Sequence, residues 1–126
     1  MQNIDYFFTM WDVLYDKNQE TKTTIENFFH TDYTQTINGS TMNRRDYIDH
    51  VIEQKNNLSS MRFKLKKHLA HLDEFFVIYE AEGKNIQEEP IEAEIIAYVQ
   101  FKDKKIFRIH GQVHLLKGNP VDVDMD

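Results

Sequence analysis

The sequence has no cysteine, only two prolines and four glycines in 126 residues. Without cysteine there are no disulfides, no thiolate metal sites and no cysteine nucleophile. No apolar run approaches the ~20 residues that a membrane-spanning helix needs. A basic excess is also missing: Lys and Arg number 15 against 21 Asp and Glu, a net charge of −6. That balance argues against a nucleic-acid partner. Met1-Gln2-Asn3-Ile4-Asp5 carries neither the basic region nor the apolar core of a signal peptide, so a soluble cytoplasmic protein is expected. What the sequence does have is 40% hydrophobic and 13% aromatic residues, a globular composition. A chain of this length can bury roughly two thirds of its unfolded surface without staples. The expectation is one domain over residues 1–126, with an acidic tail at 118–126 that frays.

Periodicity divides the chain into helices followed by strands. Ile4, Phe7, Phe8, Trp11, Leu14 and Tyr15 fall on one helical stripe, which predicts a helix over 3–16. A second helix is expected from Thr23 to Phe29, opened by a Thr23–Glu26 capping box. Tyr33 to Ile37 is β-branched and aromatic and reads as a short strand, broken by Asn38-Gly39-Ser40. Asn43 caps a third helix that runs to about Lys55, with Tyr47, Ile48, Val51 and Ile52 on its apolar face. Four alternating segments follow, at 60–72, 74–83, 91–101 and 105–117. Three helices and then an antiparallel meander make an α+β pattern, the helices covering one sheet face. The other face meets solvent or a second subunit.

Parity assigns the faces. Ile91, Ala93, Ile95, Ala97, Val99 and Phe101 turn toward the helices, as do Phe107, Ile109, Gly111, Val113 and Leu115. A three-residue loop at 102–104 keeps inward residues paired with inward ones, setting Val99 opposite Phe107 and Ala97 opposite Ile109. Lys104 then takes the positive φ, at a cost of roughly 1 kcal/mol. Upstream, Met61, Phe63, Leu65, Phe75, Val77 and Tyr79 point inward, and a basic outer strand lies beside Glu80 and Glu82. Ala93, Ala97 and Gly111 leave volume beneath the helices. Either Trp11, Tyr15 and Phe28 fill it or it stays open as an apolar pocket.

Three segments carry a family resemblance. They are 28–33 (FFHTDY) with 38–48 (NGSTMNRRDYI), and the closing Phe101-Lys102-Asp103-Lys104-Lys105-Ile106-Phe107-Arg108-Ile109. Over roughly residues 3–117 the arrangement resembles the nuclear transport factor 2-like superfamily, in its SnoaL-like and ketosteroid isomerase-like branch. The resemblance implies a cone: a curved antiparallel sheet with three N-terminal helices over its concave face, around an apolar pocket. It also implies a homodimer through the outer sheet face. The isomerases' catalytic groups are not matched, because Ile37 and Ala97 stand where that family has aspartates and Trp11 near its first-helix tyrosine.

The expected pocket comprises Trp11, Tyr15, Phe28, Tyr33, Ile37, Met61, Phe63, Phe75, Val77, Tyr79, Ala93, Ile95, Ala97, Ile109, Gly111 and Val113. Tyr33 and Tyr79 are either core residues or groups that orient a ligand oxygen. His30 and Asp32 sit beside Tyr33 at a helix–strand junction, where His30 is either a surface residue or a general base. These four are the catalytic candidates of an isomerase- or cyclase-type enzyme acting on a hydrophobic polycyclic or polyketide-like substrate. Ile96, Tyr98, Arg108 and His110 form either a plain solvated patch or a dimer face. His110 and His114 are about 13 Å apart at ~3.3 Å per residue, too far to share a metal. No metal or cofactor motif is present. The reading is therefore a binding domain for a small apolar ligand, with an enzyme or a dimeric interaction subunit as alternatives.

Overall fold

The computed structural model describes residues 2–120; most of the acidic tail lies outside the described residues. Helix α1 (Asn3–Leu14) buries Ile4, Phe7, Met10, Trp11 and Leu14, one face of a 3.6-residue period. It stops two residues short of the expected Asp16 because Tyr15 leaves helical geometry and the Asp16 N–H turns back to Val13 O at 3.3 Å, tightening the last turn. Helix α2 (Thr21–Phe28) is capped differently from expectation. Glu20, not Thr23, is the N-cap: its carboxylate accepts the Thr23 N–H, and its carbonyl accepts the Thr24 hydroxyl at 2.8 Å.

Strand β1 (Phe29–Ile37) begins well before Tyr33, and Asn38-Gly39 turns it into a second strand, β2 (Ser40–Asn43). Asn38 and Gly39 have φ of 51° and 82°, the conformation that an Asn-Gly hairpin turn requires. The expected strand break is thus a hairpin. Helix α3 (Arg44–Asn56) starts as read, with Asn43 Oδ1 accepting the Asp46 N–H at 2.9 Å. Strands β3 (Leu58–His71), β4 (Glu74–Asn85), β5 (Pro90–Lys102) and β6 (Lys105–Lys117) form the meander.

The six strands make one curved, unclosed sheet in the order β2-β1-β6-β5-β4-β3. It is mixed rather than antiparallel, because β1 runs parallel to β6. The two strands meet only after α3 and the whole meander have crossed back, so no local pattern announces the pairing.

The β5–β6 register also differs from expectation. The turn has two residues, Asp103 and Lys104, both at positive φ (52° and 64°). Alone it would pair inward with outward residues. A β-bulge at Phe107 restores parity: Phe101 faces Ile106, then Gln100 faces Arg108, Val99 faces Ile109 and Ala97 faces Gly111. Consequently Ile106 is buried, while Phe107 turns outward beneath the side chains of Lys102 and Arg108. A second bulge between Leu65 and Lys67 leaves Leu65 exposed where an inward residue was expected. The charge ladder forms as read: Arg62 pairs with Glu82, and Lys66 bridges Glu80 and Glu94, each at 3.2 Å.

The core lies between the inner sheet face and the helices, with Phe7 set edge-on to Phe75 and Tyr79. On the outer face Leu69, Phe76, Tyr98 and His110 form one cross-strand row, with Ile78 and Ile96 in the next. Leu69, Phe76 and Ile96 are 71%, 60% and 53% exposed. No helix among the described residues is long and apolar enough to cross a membrane.

Candidate functional site

The sheet, α1 and α3 enclose a cavity of about 190 Å³. Its floor is Tyr79, Ala81, Ala93, Ile95 and Ile109, all buried. Trp11 and Tyr15 of α1 form one wall with Met61 and Phe63 of β3, the indole stacked on Phe63 with ring centres 4.5 Å apart. Gln35, Ile37, Asn38, Ser40 and Met42 of the β1–β2 hairpin form the opposite side with Val113. Tyr47, His50 and Gln54 close it from α3. Ser40 is exposed and Asn38, Met42, His50 and Gln54 are half-buried, and together they mark its mouth on the side of the hairpin and α3.

Trp11, Tyr15, Ile37, Met61, Phe63, Tyr79, Ala93, Ile95, Ile109 and Val113 of the expected set are therefore brought together. Phe28, Tyr33, Phe75, Val77, Ala97 and Gly111 are not. Phe28 packs edge-on against Tyr6, and Phe75 lies farther along the sheet beside Phe7 and Phe101. Val77 and Ala97 are paired neighbours in that same closed part of the sheet. Gly111 does not make room at all. A Cβ there would lie 2.7 Å from Ile96 O and 2.9 Å from the Ala97 Cβ, so glycine is what lets β6 approach β5. The space comes instead from Ala81 and Ala93.

Of the catalytic candidates, only Tyr79 lines the cavity. His30 belongs to the β5–β6 turn: its Nε2 meets Asp103 Oδ2 at 3.2 Å and its ring meets Phe107 edge-on. Asp32 is exposed, and its N–H donates to His30 Nδ1 at 2.9 Å. Tyr33 is 1% exposed, packed between Phe29 and Tyr47, and its hydroxyl donates to Gln35 Oε1 at 2.9 Å. It lies behind the cavity wall, touching the lining residues Gln35 and Tyr47.

Gln35, Asn38, Ser40, Met42, Tyr47, His50, Gln54 and Ala81 line the cavity without having been singled out in the sequence. For Gln35 a signal existed, because it shares odd parity with Tyr33 and Ile37 on β1. His50 and Gln54 lie three and seven residues beyond Tyr47, on the same helical face.

The lining holds no Asp, Glu, Lys or Arg. Burial pushes the phenols of Tyr15, Tyr47 and Tyr79 well above the usual tyrosine range, so all three are neutral hydrogen-bonding groups. Tyr15 donates to Gln54 Oε1 at 2.7 Å. The Trp11 indole Nε1 neighbours the Tyr79 phenol, yet meets no acceptor at hydrogen-bond geometry. Among the described residues no cluster of His, Asp and Glu is placed to hold a metal ion.

No known family pattern matches the sequence, and no curated protein is recognisably similar to it. Solved structures are. An NTF2-like protein of unknown function from Exiguobacterium sp. 255-15 superposes with a TM-score of 0.74 at 13% identity, covering 90% of this chain and 98% of that one. The fold is that of the nuclear transport factor 2-like proteins. IdmH from Streptomyces antibioticus, a proposed polyketide cyclase, shares it at TM-score 0.73 and 11% identity, with 90% and 92% of the two chains covered. A ketosteroid isomerase-like fold from Catenulispora acidiphila, solved with trimethylamine, matches at 0.66 and 13% over 82% and 81%. At such identities the nuclear transport factor 2-like architecture is shared and the side chains are this protein's own.

Proposed function

We propose that the protein is a small-molecule-binding domain whose ligand occupies the cavity between the sheet and helices α1 and α3. The observation that carries this reading is an open space of about 190 Å³ with a buried apolar floor and an uncharged polar rim. A dry apolar cavity of ~150 Å³ accepts benzene, whereas drug-sized ligands occupy ~300–1,000 Å³. The size therefore favours a ligand of about one ring over a polycyclic one. The structural neighbour solved with trimethylamine is in keeping with a small ligand. A panel of monocyclic and polycyclic compounds tests this by thermal shift and NMR titration. Saturable binding of monocyclic members supports it, and no binding by any member overturns it.

A second reading is an isomerase- or cyclase-type enzyme. Its support is His50, an imidazole in the cavity wall beside the Tyr47 ring, of a residue type that can accept and donate a proton. If turnover of a bound compound is found, His50→Asn should abolish it while leaving binding intact. Unchanged turnover in that variant would exclude this histidine.

We also propose that two copies associate through the outer sheet face. Leu69, Phe76 and Ile96 are exposed side by side there, together with Tyr98, Arg108 and His110. The reading places this dimer in the cytoplasm, in keeping with the absence of cysteine.

A further inference from the structure

The cavity wall holds two buried donors that lack a strong acceptor. Gln35 is 8% exposed, a buried amide two residues from the end of β1. Its Oε1 accepts the Tyr33 hydroxyl, which turns its NH₂ group away from that tyrosine. The partner left for Nε2 is Met42 Sδ at 4.0 Å, a weak acceptor at a long distance. Across the cavity, Trp11 is 8% exposed, and its buried Nε1–H lies beside the Tyr79 phenol but meets no acceptor at hydrogen-bond geometry. Both residues line the same space. Native proteins leave few buried donors unmade, and those that remain call for a specific explanation. The lining offers no carboxylate to satisfy them and no cation to attract an anionic ligand.

We propose, building on the binding-domain reading above, that the ligand is an uncharged carbonyl compound of about one ring whose oxygen accepts from the Gln35 amide, with the Trp11 indole N–H as the second donor. The sign of its effect sets this apart from simple apolar binding. A purely greasy pocket prefers a hydrocarbon, because a carbonyl must shed water to enter. A pocket with waiting donors reverses that order.

Acetophenone and α-methylstyrene test the point, being planar twins that differ by C=O against C=CH₂. Affinities are read by NMR titration of the full chain. Trp11 is the single tryptophan, so its indole N–H gives one signal. The expected result is binding of acetophenone at least ~5-fold tighter than its twin. The Gln35 side-chain amide should shift with acetophenone and not with α-methylstyrene. In Gln35→Met the preference should vanish while the hydrocarbon still binds. Equal or reversed affinities in the wild type would overturn the carbonyl assignment and leave the binding-domain reading standing. Failure of both twins to bind would count against both. The twin comparison needs only wild-type protein, so it decides the matter even if Gln35→Met does not fold.

Discussion

At the scale of single residues, the cavity exists because Ala81 and Ala93 face it. Replacing Ala93 by leucine should fill the floor. We expect Ala93→Leu to abolish ligand binding while changing stability by less than ~2 kcal/mol, since added methylenes enter open space rather than a packed core. Denaturant unfolding together with ligand titration checks both halves. The buried phenols make a second residue-scale prediction. Burial raises the pKa of Tyr15, Tyr33, Tyr47 and Tyr79 in the folded protein above the unfolded value near 10. Their neutral forms are favoured by folding, so this stability is fully present below about pH 10 and is lost as pH rises beyond it. Ultraviolet titration should show these four phenols silent until the protein unfolds. Native ionisation near pH 10 would contradict their burial. Parity along β4 and β5 made Tyr79, Ala93 and Ile95 legible in the sequence as inward residues. It did not reveal that Gly111 serves close strand approach, because that depends on Ile96 O across the ladder.

At the scale of elements, turns and caps decide where the site's walls stand. Lys104 holds a φ of 64° in the tight β5–β6 turn, a conformation that disfavours side chains with a Cβ. Lys104→Gly should raise stability by about 0.5–1 kcal/mol in urea unfolding. A loss would show that the lysine side chain does something the turn geometry does not reveal. Lys17 sits in the α1–α2 connection and its ammonium donates to Lys55 O in the last turn of α3 and to Leu58 O at the start of β3. This is a favourable place for a cation, and Lys17→Met should cost about 0.3–1 kcal/mol. The helices, the meander and the Asn43 cap were readable because each is announced by local periodicity or a local side chain. Three features were not. Strand β2 is polar and four residues long, the Phe107 bulge leaves no mark in an alternating sequence, and the β1–β6 pairing joins distant segments. The bulge and the pairing are tertiary choices. A reading from parity alone therefore placed Phe107 inside and Ile106 outside, the reverse of what folds.

At the scale of the whole molecule, the two faces of the sheet have separate tasks in this account. On the proposed reading the concave face holds the ligand, and the convex face carries the exposed Leu69, Phe76 and Ile96 with the half-buried Tyr98 among them. Sedimentation of the wild type at micromolar concentration should give a dimer. Phe76→Asp with Ile96→Asp should give a monomer that keeps its fold, because both side chains already face solvent in the isolated chain. A monomeric wild type would remove the dimer proposal without touching the cavity. The cavity itself is tested most directly by amide and indole NMR of the wild type and Ala93→Leu, titrated with acetophenone. A ligand-binding cavity predicts saturable shifts centred on Trp11, Gln35, Ala93 and Ile95 in the wild type, and none in the variant. Shifts that never saturate, or that scatter over the outer sheet face equally in both proteins, would contradict it.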